Sequence, residues 1–195
     1  MESQAENHAL AFPVVKEEPV SWGIANIHPA FDHKAIVNPT TGKVFSIVSK
    51  DYRLIRHEDA IEQVEQVIGK YAELGRYFTC TEFYNDKGRM RRTYHFPDVS
   101  VEIRQRDRVN LQIHLLNSYD AVWMFMVLLG AFRLVCSNGL VVGKKFLHLK
   151  RRHVYGGRQA DLEKEVSTAL GRFESQTKQW AKWTNRRLTP STRRP

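Results

Sequence analysis

Cysteine is scarce: the two thiols, Cys80 and Cys136, among 195 residues exclude a disulfide framework and a four-cysteine zinc site. Long apolar runs are missing, and the longest, Ala121 to Ala131, covers about half a membrane span. The opening MESQAENHAL has neither a basic stretch nor an apolar segment, which reads as no secretory leader. There is no phosphate-cradling loop, because Gly130, Gly139, Gly143, Gly156 and Gly157 fit neither nucleotide fingerprint. HExxH and CxxC are also lacking. The nearest histidine pairs, His28 with His33 and His148 with His153, lie five apart, off a shared helical face. These absences predict a cytoplasmic protein with no cofactor, no metal, no catalytic step and no membrane contact.

What is present is charge, unevenly spread. Lys and Arg number 30 against 21 Asp and Glu, for a net of +9. Residues 1–143 hold 16 basic and 17 acidic side chains, whereas residues 144–195 hold 14 and 4. All the excess positive charge therefore belongs to the last quarter of the chain. A basic block on a neutral body attracts a polyanion; a merely solubilising face is the other reading.

Periodicity predicts an α+β protein. Residues 1–40, with Pro13, Pro19 and Pro29, read as an irregular arm. Residues 41–156 read as the core domain, 157–187 as a basic C-terminal helix and 188–195 as a disordered tail. Val44–Val48 is a short strand. Ile61, Val64, Val67/Ile68, Tyr71 and Leu74 recur at helical spacing and predict an N-terminal helix over 58–74. A four-strand antiparallel meander follows: Tyr77–Tyr84, Met90–Phe96, Val99–Gln105 and Val109–Asn117, with hairpin chemistry at Asn85-Asp86-Lys87-Gly88. Alternation gives it one apolar and one polar face. Ala121–Cys136 is apolar on nearly all sides, follows the caps of Asn117-Ser118-Tyr119-Asp120, and predicts a central helix against that sheet. Leu140-Val141-Val142 starts a further strand.

Three constellations bear on function. Arg89, Arg91, Arg92, Arg104 and Arg106 gather at two neighbouring turns, interleaved with Phe83 and Tyr94. Cations that neutralise phosphates beside rings that stack on bases suit single-stranded nucleic acid; core rings and arginines paired to Glu82, Asp86 and Glu102 are the alternative. Lys144, Lys145, Lys150, Arg151 and Arg152 form a dense basic run that packing does not account for. The last helix sets Arg172, Lys178, Lys182, Arg186 and Arg187 around Trp180 and Trp183, a pattern open to DNA, a membrane surface or a partner groove.

Asn117-Ser118-Tyr119-Asp120, then Arg133-Leu134-Val135-Cys136 with Asn138, and Asp51-Tyr52-Arg53-Leu54-Ile55 upstream, resemble the phage/plasmid-like protein family over about residues 40 to 153. This is a domain of unknown function common in phages, plasmids and integrated elements. Ala121 departs from the glycine usual there. The resemblance implies a mobile-element context in a bacterial host and brings no catalytic residues. In element order and charge placement alone, the chain is also similar to single-strand annealing recombinases. That similarity implies a homo-oligomeric ring or filament that holds single-stranded DNA in a basic groove without nucleotide hydrolysis. The competing expectation is a small phage counter-defence protein, anti-CRISPR-like, that binds a host protein complex.

Overall fold

In a computed structural model the described residues are 12–26, 28–71, 74–84, 87–104, 107–134, 141–151 and 159–184. The elements are β1 (Lys16–Trp22), a 3-10 turn (Ile24–Asn26), β2 (His28–Asn38), β3 (Lys43–Ser49), α1 (His57–Ile68), β4 (Phe78–Tyr84), β5 (Arg89–Arg104), β6 (Asp107–Ser118), β7 (Phe125–Leu134), β8 (Val141–Arg151) and α2 (Gln159–Thr184). They form two antiparallel sheets, β1-β2-β3 and β4-β5-β6-β7-β8, with neighbours in space following neighbours in sequence. The α+β class and the antiparallel meander expected from the sequence are what the chain adopts.

The five-stranded sheet buries one face. Met90, Tyr94 and Phe96 of β5 sit beside Asn117, Ile113 and Leu111 of β6, and Leu115 and Ile113 beside Val127 and Leu129 of β7. These apolar side chains form the main core with Ala60, Val64, Val67 and Ile68 of α1 and Leu162, Val166, Ala169 and Phe173 of α2. Both helices thus present a stripe at i, i+4, i+7 to the same face. Glu58 and Asp59 in the first turn of α1 suit the positive end of its dipole. Lys70, just past α1, meets Glu163 at 2.5 Å and ties the two helices together. Among the described residues no helix is long and apolar enough to cross a membrane.

Four sequence expectations change. The central helix over Ala121–Cys136 does not form: Phe125–Leu134 is strand β7, hydrogen-bonded on both sides by β6 and β8. An apolar run suits a fully paired strand as well as a buried helix, and its Val and Phe residues favour the strand. The strands expected at Met90–Phe96 and Val99–Gln105 are one 16-residue strand, β5. Pro97, which cannot donate to a ladder, is absorbed by a bulge between Phe96 and Ser100. The irregular arm instead contributes β1 and β2; Val15, just before β1, and Ile36 of β2 join Val48, Tyr52 and Tyr119 in a second core. The first helix stops at Ile68 rather than Leu74, with the Gly69 N–H donating to the Glu65 carbonyl at 2.9 Å. The C-terminal helix lies within its expected bounds, and the tail over 188–195 is outside the described residues.

Candidate nucleic-acid interface

Side chains along a strand alternate between faces, so β5 sorts its arginines. Met90, Arg92, Tyr94 and Phe96 belong to the helix-covered face, and Arg89, Arg91, Thr93 and His95 to the other. Cross-strand partners carry the open face outward in rows. Thr93 sits beside Cys80, His114 and, through β7, Leu128 and the His148 position. Arg91 sits beside the Glu82 position, Leu116, Met126 and the Lys150 position. His95 sits beside the Phe78 position, Gln112, Gly130 and the Lys145 position. Asn110, Gln112, His114, Leu116, Met126 and Leu128 are all partly exposed, and none belongs to either core.

The basic residues proposed from sequence separate on this map. Arg92 lies opposite Leu115 on the covered face, where its guanidinium donates to Glu65 Oε1 at 3.1 Å and sits 5.5 Å from the centre of the Tyr94 ring. Tyr94 is fully buried and cannot stack on a base. Arg89 Nε donates to Asp120 Oδ2 at 2.6 Å, with its guanidinium 5.5 Å from the Trp123 ring centre, which locks the start of β5 to the turn after β6. Arg91 remains on the open face, half-buried; burial lowers its pKa from the usual guanidinium value, and an arginine stays charged at neutral pH regardless.

In β8 a bulge falls between the Leu129–Leu147 and Gly130–Lys145 pairs. It puts Lys145 and Lys150, five apart in sequence, into open-face rows beside Gly130 and Met126. Lys144 and Arg151 pair with Ala131 and Phe125 in covered-face rows. Phe83 takes the position opposite Met90, also a covered-face row, and Arg104 pairs with Asp107 at the β5–β6 turn. Arg106 and Arg152 lie outside the described residues.

Between Arg91 and the lysine positions the centre of the face carries amides, imidazoles and a hydroxyl. Thr93 Oγ1 and His114 Nδ1 are 3.0 Å apart, and burial lowers the pKa of His95, favouring its neutral form. Sequence reading passed over His95, Asn110, Gln112 and His114. The alternation of Asn110, Gln112 and His114 in β6 was visible, but a surface emerges only once β7 is placed as the next strand. The opposite pole is the acidic cleft of about 690 Å³ lined by Phe12, Glu58, Ile61, Glu62, Glu65, Gln66 and Arg92, which disfavours phosphate. Among the described residues no three His, Cys, Asp or Glu side chains gather to hold a metal.

The Asn-Ser-Tyr-Asp segment is a buried joint rather than a helix cap. Asn117 Nδ2 donates to the Ile55 carbonyl at 2.8 Å and lies 3.0 Å from His57 Nδ1. The His57 N–H donates to Tyr119 Oη at 2.8 Å, and the two rings stack with centres 4.0 Å apart. Ser46 Oγ donates to the Tyr119 carbonyl at 2.7 Å, and the Tyr119 N–H to the Gly88 carbonyl at 3.0 Å. Burial lowers the His57 pKa to about 3, with the Gly88 carbonyl offsetting part of that. The imidazole is therefore neutral and accepts from Asn117. Burial raises the Tyr119 phenol well above its ordinary range. The segment pins β3, α1, β5 and β6 together, so its residue types follow from structure without any appeal to ligand.

Residues 44–194 match the family described as Domain of unknown function (DUF932). The chain belongs to the DUF932 family. The UPF0380 proteins YafZ and YfjQ of Escherichia coli (strain K12) are 30% and 29% identical to it over 121 residues, 58% of this chain and 44% of each relative. The chain thus matches less than half the length of these relatives. No solved structure matches it.

Proposed function

We propose that this DUF932 chain is a mobile-element DNA-binding protein whose open sheet face holds single-stranded DNA. It would act as a homo-oligomer that pairs complementary strands, in the cytoplasm of a bacterial host, without nucleotide hydrolysis or any other catalytic step. The observation that carries the reading is the face of the five-stranded sheet that, among the described residues, lies away from both helices and the main core. Its centre of His95, Gln112, His114, Met126 and Leu128 lies between the Arg91 row on β5 and the Lys145 and Lys150 positions on β8. Three strand spacings separate β5 from β8, about 14 Å, a width that accommodates bases across the centre with phosphates toward a cationic rim. Protein groups that neutralise phosphate release condensed counterions, so affinity falls with salt. The mechanism is passive: charge neutralisation brings two strands together, and base pairing drives their release.

The test is a labelled single-stranded oligonucleotide titrated at low and moderate salt against the wild type and Arg91→Glu/Lys145→Glu/Lys150→Glu. Tight, salt-sensitive binding that the triple variant loses by at least ~100-fold at an unchanged melting temperature is the expected result. Equal binding by both proteins, or none by either, overturns the reading.

A further inference from the structure

We infer that the outer face of the β1-β2-β3 sheet is the contact with a second copy of this chain, packed face to face about a two-fold axis. The inference rests on the homo-oligomer of the proposed function and is independent of where DNA binds. The inner face of this sheet is accounted for: Ile36 and Val48 are buried, and Lys34 pairs with Glu17 at 2.9 Å. The outer face is not. Val44 and Ile47 stand 54% and 59% exposed. Beyond His33, where β2 outruns β3, the β1–β2 finger carries Trp22, Ile24 and Phe31 at 63%, 92% and 83% exposed.

No Asp, Glu, Lys or Arg occurs from Pro19 to Phe31 in a chain that is 26% charged. These five side chains offer on the order of 700 Å² of apolar surface, more than the largest patch of a typical monomer. The amount is close to the ~800 Å² per partner of a standard interface. The charges flanking the patch point to self-association. Glu18 pairs with Ala35 and, through it, with Ile47, while Lys16 pairs with Val37 and, through it, with Val44. Adjacent rows thus end in opposite signs, and a two-fold axis sets Lys16 of one copy against Glu18 of the other, as an isologous contact requires. The product is a six-stranded sandwich with the apolar finger closing its edge. An acidic or basic partner finds no Asp, Glu, Lys or Arg to recognise between Pro19 and Phe31.

Sedimentation velocity on the full chain without nucleic acid, from nanomolar to high micromolar, tests this. The expected result is a reversible dimer of the 22.7 kDa chain. Ile47→Asp/Phe31→Asp should leave a folded monomer with unchanged far-UV dichroism. Lys16→Glu and Glu18→Lys should each weaken the dimer at least ~tenfold, and the two together should restore it. A chain that stays monomeric throughout, a dimer indifferent to Ile47→Asp/Phe31→Asp, or charge reversals that fail to rescue each other would each overturn it. Binding of single-stranded DNA by the monomeric double variant, measured separately, keeps failure of the dimer distinct from failure of the DNA reading.

Discussion

Arg91 and Arg92 are adjacent in sequence and equal in charge, yet they occupy opposite worlds. Arg92 faces the helices, its stem among Leu115 and the Tyr94 ring and its head on Glu65. Arg91 faces out, between β4 and the imidazoles and amides of β5 and β6. The same division runs through the whole sheet: Tyr94, Leu111, Ile113, Leu115, Val127 and Leu129 are sealed, while His95, Gln112, His114, Leu116, Met126 and Leu128 are within reach of solvent. Strand parity, rather than local charge density, decides which cations are offered to a ligand. A cluster such as Arg89-Met90-Arg91-Arg92 therefore overstates the positive surface that it provides.

This contrast is easiest to break at the joint beneath it. Gly88 has φ +66°, and a Cβ there would stand 2.7 Å from the Tyr119 ring and 3.1 Å from Phe45. Gly88→Val should cost more than ~4 kcal/mol and abolish the cooperative transition in urea. Acid is the next lever. The folded pKa of His57, about 3, lies below its ordinary 6.5, so the unfolded chain takes up a proton that the fold refuses. Stability is therefore complete above pH 6.5 and declines as pH falls toward 3, by on the order of 5 kcal/mol for this group. Urea midpoints that stay flat from pH 6.5 to 4.5 would contradict a neutral, buried imidazole.

Leu129→Ala on the covered face should cost about 3 kcal/mol, whereas Leu128→Ala on the open face should cost under about 1 kcal/mol; equal losses would mean that both faces are covered. Smallest is the thermal effect of Arg91→Gln, which should shift the melting temperature little while weakening oligonucleotide binding. Arg92→Gln should do the reverse, because it leaves Glu65 and the Tyr94 hydroxyl, 3.4 Å apart, without their cation. A crossover in these two readouts sharpens the comparison; parallel behaviour removes it.

How much of this could be read in advance varied with the physics involved. The stripes Val64–Val67/Ile68 and Leu162–Val166–Ala169–Phe173 have helical spacing and one buried side, and those helices are where the pattern puts them. The alternation in β6 likewise fixed which of its residues face the core. The run from Ala121 did not yield to pattern, since a strand paired on both edges reads as uniformly apolar as a buried helix. The β1–β2 arm was hidden by its prolines and by a register irregularity between Pro19 and Ser21. For the site, Arg91 was legible as a cation but not as the outward one of its pair. The grouping of Lys145 with Lys150 depended on a bulge that no local signal announces.

The joint at Tyr119 has a consequence for how the chain folds. Its hydrogen bonds close loops of 73 residues to Ser46, 62 to His57 and 60 between Asn117 and His57. The bonds to His57 wait for β6 to meet α1 and the bond to Ser46 for it to meet β3, and such distant closures are slow to find. The small sheet cannot complete its own interior before then, because Tyr119 supplies part of it. The small sheet is thereby made dependent on the large one, and cutting between the two sheets would strip it of the Tyr119 ring that completes its core.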